Sequence, residues 1–76
     1  MSKEKVKKQF LNGYERILKI DHMIASGRYP NVEDFARETE ASIPTINRDL
    51  RDLRMKFGAE GILQYDRNRK GFYYTS

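Results

Sequence analysis

The sequence predicts an α+β fold of three helices and a C-terminal two-stranded β-hairpin, preceded by a basic N-terminal helical extension. Apolar residues recur at helical spacing through most of the chain, and Gly, Pro and capping residues interrupt them at intervals. The last part contains two short runs rich in aromatic and branched residues, which is typical of strands. With 76 residues, the chain has room for one small domain. We divide it into an extension at 1–13 and a domain at 14–76.

Residues 2–26 are predicted to form either one long helix or a broken one. Apolar residues follow helical spacing from Tyr14 to Ile24, and Gly27 supplies a stop. The extension at 1–13 is rich in lysine, so it is interpreted as an added helical segment or, alternatively, a solvated tail. Its apolar residues that could face a core are Val6, Phe10 and Leu11.

A second, shorter helix is predicted at 32–39. Tyr29 precedes Pro30 and therefore avoids the α region, which predicts an extended or turn element there. Asn31 is a good N-cap, and the acidic residues Glu33 and Asp34 follow in the first turn, where the helix dipole favours anions. The predicted inner face comprises Val32, Phe35, Ala36 and Thr39.

The third helix is predicted to follow a tight connection at 40–42. Ser42 is its N-cap, and Pro44 falls in the first turn, where a missing N–H is harmless. The helix continues to about Phe57, and Gly58 ends it. A serine cap is also expected to leave helix N–H groups free to face a phosphate.

The third helix separates into two faces when it is drawn at about 100° per residue. The predicted buried stripe consists of Ile46, Leu50, Leu53 and Phe57, and the opposite side presents Pro44, Arg48, Arg51 and Met55, flanked by Asn47 and Asp52. Arginine can pair with two guanine acceptors and asparagine with adenine, while Ile43 and Pro44 could touch a thymine methyl. The alternative is a charged face that only meets solvent.

A β-hairpin is predicted from strands at Ile62–Asp66 and Gly71–Thr75. Alternation places Leu63, Tyr65, Phe72 and Tyr74 on one face, and Gln64 and Tyr73 on the other. The connecting residues are Arg67, Asn68, Arg69 and Lys70. Three cations in four residues exceed what protection of an edge strand needs, which favours contact with DNA over a merely polar turn.

The order of these elements is typical of a helix-turn-helix protein that binds double-stranded DNA. A short capped helix is followed by a tight turn and then by a helix with a basic outward face. The net charge of +4 also favours an acidic partner. Positive charge is concentrated in residues 1–26 and 42–76, whereas residues 27–41 carry four acidic and two basic side chains.

Other classes of function lack support in the sequence. There is no cysteine for a disulfide or a thiolate metal site, and no apolar run approaches the roughly 18–20 residues that span a bilayer. The lone His22 has no second histidine or spaced carboxylate cluster beside it. There is no glycine-rich phosphate loop. We therefore expect a cytoplasmic protein that is not an enzyme, with no cofactor, no membrane contact and no small-molecule site in this chain.

Two motifs resemble a known family. Residues 45–50 read Thr-Ile-Asn-Arg-Asp-Leu, which resembles the recognition helix of DeoR-type regulators, and residues 65–72 resemble the wing of bacterial WYL-domain transcription regulators. The similarity spans about 16–74 and implies a winged helix-turn-helix fold. On the recognition helix it assigns DNA contact to Thr45, Asn47, Arg48 and Arg51. It assigns a cap to Ser42 and a structural role to Asp49. On the wing it assigns minor-groove or backbone contact to Arg67, Asn68, Arg69 and Lys70.

The chain also departs from the family pattern. Helix two of the family ends in Leu followed by Gly, whereas this chain has Thr39 and Glu40, which predicts a slightly different turn. Ile43 and Pro44 stand where the family often has polar or basic residues.

The resemblance also bears on the size of the protein and its partners. Family members continue into a WYL effector domain, so we expect an excised DNA-binding domain rather than a naturally short protein. We also expect the full-length protein to be a homodimer, because one module of this kind would bind DNA weakly. A winged helix used for protein–protein contact is the alternative function.

Overall fold

The computed structural model describes residues 11–75, which form three α-helices followed by two β-strands. Their bounds are α1 Gly13–Ala25, α2 Val32–Thr39, α3 Ile43–Lys56, β1 Leu63–Asp66 and β2 Gly71–Tyr74. The predicted α+β class is thereby confirmed. The predicted N-terminal extension lies outside the described residues, except for its last three.

Helix α1 begins at Gly13 because Asn12 caps it. The Asn12 side chain accepts from the Glu15 backbone N–H at 2.8 Å, and the Glu15 carboxylate accepts from the Asn12 N–H at 3.2 Å. Asn12 itself has extended backbone angles (φ −74°, ψ 174°). The prediction of one continuous helix through residue 12 is therefore wrong, and α1 starts at Gly13.

Helix α2 has the predicted bounds and the predicted cap. Asn31 and Asp34 exchange the same two hydrogen bonds, at 2.8 and 2.9 Å. Phe35 and Thr39 are buried, and the Thr39 hydroxyl donates to the Phe35 carbonyl at 2.7 Å. The polar group of this buried threonine is therefore satisfied within its own helix.

Helix α3 starts at the predicted Ser42 cap, whose hydroxyl accepts from the Thr45 N–H at 3.3 Å. Three members of the predicted stripe are buried: Ile46, Leu50 and Leu53. The prediction for Phe57 is wrong, because this side chain is 48% exposed. The helix ends at Lys56, and the backbone of Phe57 (φ −109°, ψ 10°) has left the helical conformation, so helical spacing no longer places its ring.

Strands β1 and β2 pair in antiparallel register, with Leu63 opposite Tyr74 and Tyr65 opposite Phe72. This register confirms the predicted alternation, although each strand is one residue shorter than predicted at its outer end. Tyr65 shares the inner face but is 48% exposed, with its ring edge-on to Phe72 at 5.1 Å.

The hairpin packs against the helices through one hydrophobic core. The Phe72 N–H donates to the Pro30 carbonyl at 2.7 Å, and the Phe72 ring lies 5.9 Å from that of Phe35. The Tyr74 hydroxyl donates to Asp21 of α1. The buried apolar residues of this core are Ile17, Ile20, Ile24, Phe35, Ile46, Leu50, Leu53, Ala59 and Leu63. Among residues 11–75, no helix has the length and apolar character needed to cross a bilayer.

Candidate nucleic-acid interface

The outward face of α3 carries Asn47, Arg48 and Arg51, and all three side chains are exposed. Arg48 and Arg51 lie on the helix side opposite the buried Ile46 and Leu50, and Asn47 lies at the flank of that side. None of the three makes a side-chain hydrogen bond or ion pair with another residue in the range 11–75. Their donors point to solvent, so they can meet a ligand without breaking a contact within the described fold.

Asp49 is neutralised inside the fold by Arg16 of α1. The Arg16 guanidinium forms a two-pronged pair with the carboxylate, through Nε to Oδ2 and through Nη2 to Oδ1 at 3.0 Å. Asp49 is 3% exposed, and the hydrogen bond to it raises the pKa of Arg16 against the opposing effect of burial. The structural role expected for Asp49 is confirmed, and α3 keeps the positive charge of its outward face.

The first turn of α3 offers fewer free N–H groups than predicted. The Thr45 N–H donates to the Ser42 hydroxyl, which in turn donates to Thr45 Oγ1 at 2.9 Å, and Pro44 has no N–H. Of the first three helical residues, only Ile43 retains a backbone N–H without a partner among residues 11–75. Ile43 and Pro44 are exposed, so both can make apolar contacts.

The hairpin turn is closed by Asp66. Its Oδ1 accepts from the backbone N–H groups of Asn68 and Arg69 at 2.8 and 2.9 Å, and its carbonyl accepts from the Lys70 N–H at 2.7 Å. The two bonds to the carboxylate, led by the one from the Arg69 backbone, lower the pKa of Asp66. The carboxylate therefore stays ionised near neutral pH and holds the turn in one shape.

Arg69 packs against Tyr29, so its guanidinium already has a partner within the protein. Its guanidinium carbon is 4.6 Å from the centre of the Tyr29 ring, and Nη1 donates to the Tyr29 hydroxyl at 3.2 Å. Nη1 also lies 3.5 Å from Asp66 Oδ2. Within the described residues, the predicted wing cations without an ion-pair partner are Arg67 and Lys70.

The sequence did not predict that Tyr29 contacts the hairpin turn. Tyr29 adopts the left-handed backbone conformation (φ 58°) rather than an extended one, and its ring also packs on Tyr73 at 5.4 Å. No local pattern reveals this contact, because Tyr29 and Arg69 are 40 residues apart. The part of the candidate interface on α3 is predicted more accurately than the hairpin, because it depends only on the spacing of residues within one helix.

The two groups of predicted contact residues are not joined directly. No hydrogen bond or ion pair in the described residues connects the turn at 67–70 with Asn47, Arg48 or Arg51. Besides the bonds to Pro30 and Asp21, the hairpin contacts Tyr29, and Arg54 of α3, whose Nη2 lies 3.4 Å from the Leu63 carbonyl. Within residues 11–75, the hairpin turn and the outward face of α3 therefore have no polar contact with each other.

The described residues show no arrangement of side chains typical of a metal centre. Across residues 11–75, no three His, Asp or Glu side chains come together as possible metal ligands, and His22 is exposed. No family model, curated protein or solved structure matches the chain. The resemblance to DeoR-type and WYL-domain regulators therefore stays a prediction.

Proposed function

We propose that residues 14–76 form a winged helix-turn-helix domain that binds double-stranded DNA as part of a bacterial transcription regulator of the DeoR-like or WYL-domain kind. Helix α3 docks in the major groove, and the turn at 67–70 contacts the minor groove or the backbone. The observation that carries this proposal is the exposed face of Asn47, Arg48 and Arg51 on a helix whose one buried carboxylate is already paired.

The architecture is compatible with this reading. Helices α2 and α3 are joined by two residues, Glu40 and Ala41, and the Ser42 cap, and the hairpin lies beside them. An α-helix of 14 residues is about 21 Å long, and the major groove of B-DNA admits a helix. The buried side of α3 packs on the core, so its outward side can face a duplex.

The proposed contacts differ in kind. Arg48, Arg51 and Asn47 supply base or phosphate contacts, and Ile43 and Pro44 offer apolar surface to a thymine methyl. Ser42 and Thr45 mainly order the helix start, since they bind each other. On the hairpin, phosphate contact is assigned to Arg67, Asn68 and Lys70, with Arg69 sharing its charge with Tyr29.

A single module of this size binds weakly, so the proposal includes a homodimer of the full-length protein. Its half-sites would lie about one helical turn apart, roughly 34–36 Å. Sedimentation on a duplex with two half-sites checks this, and a complex with one protein per duplex at saturation contradicts it.

The test is a fluorescence-anisotropy titration of random duplex DNA at low and moderate salt. Wild-type affinity should fall steeply with salt, because phosphate contacts release counterions. The double variant Arg48→Ala/Arg51→Ala should lose most of the binding, at about 1–3 kcal/mol per base-reading arginine. The matched control is Lys19→Ala/Arg37→Ala, which removes two cations from a groove between α1 and α2.

Two outcomes would reject the proposal. One is a folded wild-type protein that does not bind duplex DNA at low salt. The other is an equal loss of affinity in the control, since this would mean that net charge rather than the face of α3 governs binding.

A protein-interaction function is the second candidate, and an apolar groove favours it. Leu18, Phe57 and Ile62 are 47%, 48% and 43% exposed and line this groove together with Leu53 and Tyr74. Scattered exposed apolar residues are normal, but clustered ones mark interaction surfaces. The same titration separates the two functions, because an interaction module would be folded and would not bind the duplex.

A further inference from the structure

Strand β2 holds both the ring and the backbone of Tyr29. The half-buried ring packs on Tyr73 at 5.4 Å. The Tyr29 carbonyl fits against Gly71, where a Cβ would lie 1.7 Å from the carbonyl oxygen. Tyr29 also has φ of 58°, and a residue other than glycine keeps such a conformation only where its surroundings impose it. The ring of Tyr29 therefore has a set position beside the hairpin turn.

This ring orders the guanidinium of Arg69. The guanidinium carbon lies 4.6 Å from the ring centre, and Nη1 donates to the Tyr29 hydroxyl at 3.2 Å. At the other end of the residue, the Arg69 backbone N–H donates to Asp66 Oδ1 at 2.9 Å. The Arg69 side chain is 62% exposed, so it is held at both ends while most of its surface still faces solvent.

Tyr29 leaves one edge of this guanidinium without a partner. Nη1 bonds to Tyr29 and approaches Asp66, whereas Nε and Nη2 of Arg69 donate to no residue in the range 11–75. Arg16 shows what this edge does when it is occupied, because its own Nε and Nη2 bind the two oxygens of Asp49. Arginine binds phosphate in the same two-pronged way as carboxylate. The open edge of Arg69 is therefore suited to a phosphate group.

We propose that Tyr29 is a positioning residue, which holds Arg69 so that its Nε and Nη2 bind one phosphate of the duplex in a two-pronged contact. This inference rests on the proposed DNA-binding function and adds to it a residue outside the hairpin turn. Because the guanidinium is ordered before binding, the complex avoids the cost of immobilising a long side chain. Phosphate contacts carry no base information, so Tyr29 and Arg69 contribute to affinity and not to base preference.

The experiment is a double-mutant cycle in the full 76-residue chain, with duplex affinity measured by fluorescence anisotropy at several salt concentrations. Arg69→Gln should lower the affinity about tenfold and the slope of log K against log salt by about 0.9, because one phosphate contact is lost. Tyr29→Leu should lower the affinity about twofold to tenfold in the wild-type background, and it should have no effect in the Arg69→Gln background. The control for charge is Lys19→Gln, which removes one exposed cation of α1.

Arg69→Lys tests the two-pronged contact without touching Tyr29. Lysine keeps the charge but lacks the paired donors, so the affinity should fall about threefold or more while the salt slope stays unchanged. Because the Arg69 side chain is exposed, this variant keeps the proposal testable where thermal melts show that Tyr29→Leu is unfolded.

The outcomes separate this inference from the function on which it rests. An equal loss from Tyr29→Leu in both backgrounds overturns it, because Tyr29 would then act on the fold and not through Arg69. Wild-type affinity in a folded Tyr29→Leu or in Arg69→Lys also overturns it, as does an equal loss in Lys19→Gln and Arg69→Gln. In each of these cases the DNA-binding proposal stands if Arg48→Ala/Arg51→Ala still loses binding. No duplex binding by the wild type removes both.

Discussion

Three residues with side chains adopt the left-handed backbone conformation within residues 11–75. Tyr29, Glu40 and Lys70 each have φ of 58°, a region that residues other than glycine and asparagine rarely occupy. Each lies at a junction: before α2, between α2 and α3, and at the end of the hairpin turn. At the junction of α2 and α3, Glu40 has a backbone conformation that glycine adopts without strain.

Replacing Glu40 with glycine should stabilise the domain. Glycine removes the strain of a Cβ at positive φ, and this gain is partly offset by the greater freedom of glycine in the unfolded chain. We expect the free energy of unfolding to rise by about 0.5–1 kcal/mol, measured by urea denaturation. Glu40→Ala is the control, since it removes the same charge but keeps the Cβ. If both variants stabilise equally, backbone strain is not the cause.

At the scale of the elements, side-chain caps determine where the helices begin. Asn12, Asn31 and Ser42 each accept a hydrogen bond from the third residue of their helix. The caps of α2 and α3 were predicted, because a turn signal and a helical pattern meet at each of them. Asn12 was not, because the apolar spacing near residue 13 is too sparse to show where the helix starts.

The cap of α2 should make stability depend on pH. The pKa of Asp34 is lowered, first by the hydrogen bond from the Asn31 backbone N–H and then by Arg37. A lowered pKa in the folded state means that this stability is present above the ordinary aspartate pKa of about 3.9 and is lost as the pH falls through the lower folded value. Asp34→Asn should thus cost about 0.5–1 kcal/mol at pH 7.

The check is the melting temperature of both proteins between pH 7 and pH 2. The difference between wild type and Asp34→Asn should shrink as the pH drops below about 4. Glu33→Gln serves as the control in the same turn, because its side chain makes no hydrogen bond with residues 11–75. A constant difference across this range would show that the Asp34 charge does not stabilise the helix.

At the scale of the whole molecule, the hairpin depends on a close backbone approach. Gly71 is buried, and a Cβ placed there would lie 1.7 Å from the Tyr29 carbonyl oxygen. The next residue, Phe72, donates its N–H to the Pro30 carbonyl at 2.7 Å. Residues 71–72 therefore anchor the hairpin to the segment that leads into α2.

Gly71→Ala should displace the hairpin from the helices. Atoms cannot overlap at that distance, so backbone must shift, and we expect a loss of about 1–3 kcal/mol or more in the free energy of unfolding. Gly13→Ala is the matched control, because the nearest atom to its Cβ, apart from its chain neighbours and the backbone of its own helix, would be Arg16 Nη2 at 3.9 Å. Thermal denaturation measures both, and a Gly71→Ala protein as stable as the wild type would contradict the close contact.

The sequence predicted what depends on local spacing and missed what depends on distant pairs. The bounds of α2, the Ser42 cap and the alternation of the strands follow from rules that span a few residues. The pairing of Arg16 with Asp49 joins residues 33 apart, and no local rule selects one partner over another. The exposure of Phe57 was missed because helical spacing was extended one residue beyond the end of α3.

The cap bonds and the bonds that hold the hairpin differ in sequence separation, and this difference also bears on the order in which the domain folds. Each cap bond spans three residues, whereas the bonds that hold the hairpin, Arg69 to Tyr29 and Tyr74 to Asp21, span 40 and 53. Local contacts form quickly, while distant ones must first close a long loop of chain. The helices should therefore form early and the hairpin should dock last, so that in the folded protein it is also the first part to detach.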